Sequence, residues 1–217
     1  MISKSTQISK TNVYVLITLM IGILLVFTTN SMASTDSDDI VAFLAQELKL
    51  DDQQKQNLNT EMERYANQLN KLIEDQESED ADPDALIKGV KQAQDGHNKE
   101  LEKIFTKEQL QQYNALKEKV IKGMFSDLAE IKLMDIQPKT SISDEQVSQL
   151  VPILGNSMYN VVKIAWENAG KTLRAPQKIK LAKEMKRIQA DSRAGIEKVL
   201  TPEQLKAWDK YKEEQKK

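Results

Sequence analysis

The amino-acid sequence predicts an all-α protein. The residues from Ser34 onward include only six glycines, and they show few of the aromatic and β-branched runs that strands need. Apolar residues recur at steps of three and four over long stretches, which is the period of one helix face. A short pattern typical of helix starts also occurs four times. Together these three observations favour long helices that pack in pairs.

The first 33 residues have the order of a secretory signal peptide. Lys4 and Lys10 precede an apolar run from Val13 to Phe27, and the segment ends in Ser31-Met32-Ala33. The apolar run is 15 residues long, whereas a membrane-spanning helix needs roughly 20. We therefore expect residues 1–33 to be cleaved and the mature protein to be periplasmic. The alternative is a retained segment that tethers the domain to the inner membrane.

The amino-acid composition argues against several classes of function. The chain has no cysteine, so it forms no disulfide. Removing Lys4 and Lys10 leaves 29 basic and 33 acidic residues, a formal charge of −4, which gives no general reason to bind nucleic acid. The chain has a single histidine and no glycine-rich phosphate loop. We therefore expect no enzymatic activity, no cofactor and no metal site. His97 falls on an apolar helix face, where we expect it to be packed.

The four helix starts share one design. In each, an apolar residue precedes a cap whose side chain can accept from free backbone N–H groups, and a Gln three residues on can bond back to the cap. The apolar residues are Leu50, Phe105, Ile142 and Leu200, the caps are Asp51, Thr106, Ser143 and Thr201, and the glutamines are Gln54, Gln109, Gln146 and Gln204. The apolar residues are 55 residues apart in the first pair and 58 in the second, which indicates a duplicated unit.

The first unit is predicted to be a helical hairpin behind a short leading helix. The leading helix carries Ile40, Val41, Phe43, Leu44 and Leu48. The next, from about Asp52 to Ile73, carries Leu58, Met62, Tyr65, Leu69 and Leu72 on one face. The returning helix begins near Pro83 and carries Leu86, Val90, Ala93, His97, Leu101 and Ile104. Such spacing is typical of two helices packed along a seam.

A linking helix and a second hairpin follow. The linking helix carries Leu110, Tyr113, Leu116, Val120, Met124, Leu128 and Ile131 until Pro138 ends it. A helix from Ser143 to about Leu173 is expected to kink at Pro152 and Gly155. The return from Pro176 carries Leu181, Met185, Ile188, Ile196 and Val199, and a last helix carries Leu205, Trp208 and Tyr211. We assign residues 34–138 to the first unit with its linking helix and residues 139–217 to the second.

These motifs resemble the LTXXQ-motif family of bacterial periplasmic helical proteins, the Spy/CpxP-like proteins. The match is literal at Leu200-Thr201-Pro202-Glu203-Gln204 and approximate at the other three starts. The resemblance implies a chaperone that holds unfolded proteins without ATP, or a protein that reports envelope stress. The chain differs from the family pattern in having two motif pairs instead of one, and in its acidic net charge.

Two charge runs lie at equivalent places in the two units. Seven acids and no base lie between Glu74 and Asp84, and seven bases with one acid lie between Lys171 and Arg187. Both runs can be ordinary solvated turns. Opposite charges can also bring the two hairpin tips together, either within one chain or in a head-to-tail homodimer.

The basic run supplies the candidate binding residues. Cations alternate there with apolar side chains, and the candidates are Lys178, Lys180, Lys183, Met185, Lys186 and Arg187. An ordinary surface helix has the same pattern, and so has a membrane-surface helix. Taken together with the resemblance to the LTXXQ-motif family, this pattern predicts a holdase, a chaperone that binds unfolded or misfolded exported proteins without ATP. The alternative is a regulator, with or without a metal response, that binds the sensor domain of a membrane signalling protein.

Overall fold

The computed structural model describes residues 37–75 and 82–215. These residues form seven α-helices and no strand, which confirms the all-α prediction. The helices are α1 (Ser37–Leu48), α2 (Asp52–Glu74), α3 (Pro83–Ile104), α4 (Lys107–Thr140), α5 (Asp144–Asn168), α6 (Ala175–Val199) and α7 (Pro202–Glu214). Among the described residues, none of these helices is both long and apolar enough to cross a membrane. The predicted signal peptide lies outside the described residues, as do residues 76–81 of the acidic run.

The chain divides into two compact units, with the boundary between Leu116 and Lys117. The sequence put this boundary after residue 138, at the end of the linking helix. The difference arises because α4 contributes to both hydrophobic cores. Tyr113 packs in the cluster of the first unit, whereas Leu133 and Ile136 pack in that of the second.

In the first unit, α2 and α3 pack antiparallel to each other. Gln54 at the start of α2 bonds the carbonyl of Ile104 at the end of α3, and Leu72 near the end of α2 lies beside Gly89. The short helix α1 completes the core at the end where α2 starts. The buried cluster there consists of Val41, Leu44, Leu48, Leu58, Met62, Leu101, Phe105 and Tyr113. Burying each large apolar side chain contributes about 1.5–3 kcal/mol, so this cluster stabilises the unit together with the buried residues farther along α2 and α3.

The second unit repeats this antiparallel pairing with α5 and α6. Gln146 near the start of α5 bonds the carbonyl of Val199 at the end of α6. Gly195 of α6 lies so near Ile153 of α5 that an added Cβ would come within 2.9 Å of its Cγ2. The core cluster is formed by Leu133, Ile136, Ile142, Leu150, Ile196, Leu200 and Trp208.

Several predicted details of the helices are corrected. Pro138 does not end α4, which continues to Thr140 and stops where Ser141 takes a positive φ of 54°. The predicted apolar face of α4 beyond Tyr113 is wrong in part, since Leu116, Met124 and Leu128 are partly buried as expected but two other residues are not. Val120 and Ile131 are exposed there, and the buried residues are instead Phe125, Ala129, Leu133 and Ile136. The reason is that α4 packs in two hydrophobic cores. A single apolar stripe extended along the whole helix does not predict which residues face each core.

The helix α5 runs through Pro152 as one helix and ends at Asn168 rather than near Leu173. A proline inside a helix removes one hydrogen bond, and the remaining turns of α5 stay helical on both sides of it. The chain then takes a positive φ of 69° at Gly170, a conformation that glycine adopts without strain.

A residue with positive φ precedes the first motif in each unit. Lys49 precedes Leu50 with a φ of 53°, and Ser141 precedes Ile142 with a φ of 54°. A left-handed residue reverses the chain direction after a helix and satisfies its last carbonyls. Consistent with this, the N–H of Leu50 donates to the carbonyl of Ala45, and that of Ser141 donates to Gln137. The two helix-to-motif turns therefore share a left-handed residue, which the side-chain pattern alone did not indicate, while their hydrogen bonds differ.

Candidate functional site

The four motifs form capping boxes at the starts of α2, α4, α5 and α7. In the first, the Asp51 side chain accepts from the N–H of Gln54 at 2.7 Å, and Gln54 Oε1 accepts from the Asp51 N–H at 3.2 Å. The same reciprocal bonds join Thr106 with Gln109, Ser143 with Gln146, and Thr201 with Gln204. Each box satisfies backbone donors that the first turn of a helix leaves free.

The glutamines also bond to one another across each unit. Gln54 Nε2 donates to Gln109 Oε1 at 2.8 Å, and Gln109 Nε2 donates back to Gln54 Oε1 at 3.2 Å. In the second unit, Gln146 and Gln204 exchange the same two bonds, both at 2.9 Å. We call each arrangement an amide interlock. It joins the two motifs of a unit directly, which the sequence pattern did not predict.

Each interlocking amide also reaches a backbone carbonyl just before the other motif. Gln146 Nε2 donates to the carbonyl of Val199, and Gln204 Nε2 donates to that of Ser141, both at 2.9 Å. In the first unit, the acceptors are Ile104 and Leu48. Each amide thus uses two donors and two acceptors. A glutamate can form the capping box but has no N–H₂ group to donate, so the interlock explains why the motif carries Gln.

Buried polar residues form a second feature, between α2 and α3. Glu61 and His97 are each only 5% exposed, and His97 Nδ1 lies 2.8 Å from Glu61 Oε1. Arg64 donates to both oxygens of Glu61 at 2.7 Å, and these bonds hold the pKa of Arg64 above its ordinary value. The ring of Tyr65 stacks on His97 with centroids 4.3 Å apart. His97 is therefore packed and hydrogen-bonded, and the buried Glu61 is a residue that the apolar pattern missed.

Potential metal ligands do not gather in the described part of the chain. No group of three or more His, Cys, Asp or Glu side chains is arranged there to hold a metal ion. The acids of the first hairpin tip fall partly on residues 76–81, outside the described residues. Of the acids that are described, Glu74, Asp75, Asp82 and Asp84 are exposed.

The predicted binding residues lie on the first half of α6, which is exposed on most of its surface. Lys178, Lys180, Lys183, Lys186 and Arg187 are exposed, and Met185 is partly buried. The apolar side chain of Ile179 is 57% exposed beside them. Buried residues of α6 begin only at Ile188, near its middle. We call residues 178–187 of α6 the basic face. It combines long cationic side chains with accessible apolar groups.

A groove lies between α5 and α6 next to the basic face. Its volume is about 550 Å³, and its walls include Asn160 and Lys163 of α5 and Arg187 and Asp191 of α6. Of the six predicted binding residues, only Arg187 lines this groove. The equivalent groove between α2 and α3 in the first unit is smaller, about 360 Å³, and it contains Arg64 and Lys71.

Comparison with known protein families, with curated proteins and with solved structures finds no match to this chain.

Proposed function

We propose that the protein is an exported, ATP-independent holdase that binds unfolded or misfolded proteins through its second unit. The observation that carries this proposal is the basic face of α6. It presents five exposed cations with Ile179 and Met185 over about three turns of helix. Unfolded chains offer apolar and charged groups in no fixed order. A surface that mixes flexible cationic stems, isoleucine and methionine can therefore bind many of them.

We further propose that the chain is a tandem member of the LTXXQ-motif family. The support is that its four motifs form two interlocks with the same bonds, Gln54 with Gln109 and Gln146 with Gln204. Four unrelated capping boxes have no reason to meet in pairs. On this proposal, the motifs hold each unit together, and the client surface lies on the helices between them.

Aggregation of unrelated client proteins tests the holdase directly. Light scattering from three thermally or chemically unfolded clients is followed with the protein present and without nucleotide. A holdase suppresses aggregation of all three at a near-equal molar ratio. If none is protected at a several-fold molar excess of the protein, the chaperone proposal is wrong.

A dedicated regulator is the second candidate, because a single basic helix face can also recognise one acidic surface of a receptor. Such a protein would bind the sensor domain of one membrane signalling protein tightly and protect unrelated clients poorly. Pull-down of membrane receptors and the aggregation assay together distinguish the two functions.

Export and cleavage form a separate part of the proposal. Fractionation of the producing bacterium should recover the protein in the periplasm, and sequencing of its N-terminus should begin at Ser34. A membrane-bound product that retains Val13 to Phe27 would instead favour the tethered form, and with it regulation at the membrane surface.

A further inference from the structure

The groove between α5 and α6 has the chemistry of a site for an extended peptide segment. Its walls present four neutral polar side chains, Asn156, Ser157, Asn160 and Ser192, and none of these side chains makes a hydrogen bond to another described residue. Amide and hydroxyl groups both donate and accept. They can therefore pair with the N–H and C=O groups of a peptide backbone whatever its side chains are.

Charges of both signs line the same groove and are not paired with each other. The bases are Lys163 and Arg187, and the acids are Glu167, Glu184 and Asp191. In the described part of the chain, none of these five forms a salt bridge. By contrast, Arg193, which directly follows the lining residue Ser192, forms salt bridges with Glu197 and Asp209. The groove therefore offers charges without a salt-bridge partner to a ligand that itself carries acidic and basic groups, although Lys163 also lies 5.9 Å from the centre of the Tyr159 ring.

The length of the groove favours a polypeptide over a small molecule. Its lining runs along α5 from Ile153 to Glu167, which is about 20 Å at a rise of 1.5 Å per residue. An extended peptide covers this length with about six residues at 3.3 Å each. A small zwitterion would contact only part of it.

A close contact through glycine lies at one end of the groove. Gly195 brings α6 against Ile153 of α5 near the interlocked end of the unit, where a Cβ would be too close. From there to Glu167, residues of both helices line the groove.

We propose that this groove binds an extended, mixed-charge segment of an unfolded protein by pairing with its backbone and its charges. The inference rests on the holdase proposal and assigns the client contact to a particular site. The cations of the basic face of α6 then attract the client along the same helix, and Arg187 belongs to both surfaces.

Methyl resonances of isoleucine report on the site directly, because Ile153, Ile164 and Ile188 line the groove. The protein purified after expression of the full chain is labelled at isoleucine δ1 methyls and titrated with reduced, carboxymethylated α-lactalbumin, which stays unfolded. We expect shifts or broadening of these three methyls, while Ile87 and Ile104 of the first unit stay unchanged. Equal changes in both units, or changes elsewhere only, would overturn the proposal.

Filling the groove provides the second measurement. The exposed Asn160 is replaced in Asn160→Trp, and the matched control is Gln92→Trp in the smaller groove of the first unit. Asn160→Trp should weaken client binding at least five-fold, and Gln92→Trp less than two-fold, at unchanged melting temperatures. If aggregation is still suppressed but Asn160→Trp binds like the wild type, the groove assignment fails and the holdase proposal stands. If neither suppression nor methyl shifts are seen, both fail.

Discussion

Individual glutamines in the motifs do more than cap helices, because their amide donors cross each unit. The isosteric change Gln146→Glu keeps the capping oxygen but removes the N–H₂ group that bonds Gln204 and the Val199 carbonyl. The variant loses both donors, and its carboxylate faces the Val199 carbonyl oxygen and Gln204 Oε1. We therefore expect it to be less stable by about 2 kcal/mol. Urea unfolding measures this change.

A matched control for this substitution lies at the start of α6. Gln177 Oε1 accepts from the Arg174 N–H at 2.8 Å, and this bond is part of no interlock. Gln177→Glu should be neutral or slightly stabilising, since a negative charge is favourable in the first turn of a helix. Equal effects of the two substitutions would show that the motif glutamines act as caps alone.

The hydroxyl of Tyr65 should lower the stability of the folded protein. Its Oη is buried without a hydrogen-bond partner in the described part of the chain, and burial raises the pKa of Tyr65 above its ordinary value. Tyr65→Phe keeps the ring that stacks on His97 and removes the unsatisfied group, so the free energy of unfolding should rise by about 1 kcal/mol. A loss of that size would mean that the hydroxyl is satisfied in solution.

The raised phenol pKa also predicts alkaline sensitivity. An unfolded tyrosine ionises near pH 10, whereas burial holds Tyr65 and Tyr113 neutral to higher pH. The folded state then binds more protons above about pH 10, so stability is fully present below that pH and falls as pH rises. Unfolding titrations from pH 8 to 11 should show a shallower fall for Tyr65→Phe than for the wild type.

At the scale of helices, the space around a glycine differs between α5 and α4. Gly155 of α5 is in close contact with α4, whereas Gly123 of α4 has open space around it. A Cβ at Gly155 would lie 3.0 Å from the Cα of Ser126, and this backbone atom cannot move aside easily. Gly155→Ala should therefore destabilise the second unit. At Gly123 nothing lies within 4 Å, so Gly123→Ala should stabilise α4 by roughly 0.5–1 kcal/mol. Thermal melting of the two variants compares them, and shifts in the same direction would contradict the packing of α4 on α5.

The sequence predicts the helices well because periodicity and capping are local. The starts of α2, α5 and α7 follow directly from the caps Asp51, Ser143 and Thr201. The sequence pattern did not predict the buried face of α4. Which hydrophobic core a residue of α4 packs in depends on helices that are distant in the sequence. Leu133 is buried and Ile131 exposed for this reason, although both fit a helical stripe.

The candidate site could be predicted only in part. Alternation of cations with apolar residues identifies the basic face of α6 from sequence. The groove residues Asn156, Asn160 and Asp191 carry no such pattern, since their proximity arises only when α5 packs on α6. The pairing of Glu61 with His97 was missed for the same reason, because a glutamate on a helix is normally read as exposed.

On the scale of the whole molecule, the opposite charges of the two hairpin tips give a prediction about assembly. The acidic run from Glu74 to Asp84 and the basic run from Lys171 to Arg187 favour a head-to-tail homodimer or a closed single chain. Sedimentation at rising salt measures this. Association should weaken toward 1 M, where the screening length falls to about 3 Å. A dimer whose stability does not depend on salt would exclude these tips as its cause.

The central claim is that clients bind through the basic face of α6. It is tested by replacing Lys178, Lys180, Lys183 and Lys186 together with Gln. The control replaces four other exposed lysines of the second unit, Lys132, Lys198, Lys206 and Lys212, with Gln, so both variants lose the same charge. In the aggregation assay at physiological salt, the α6 variant should need several-fold more protein for half-maximal protection, and the control should match the wild type. If both variants lose protection equally, or if neither loses any, clients do not bind through the basic face of α6.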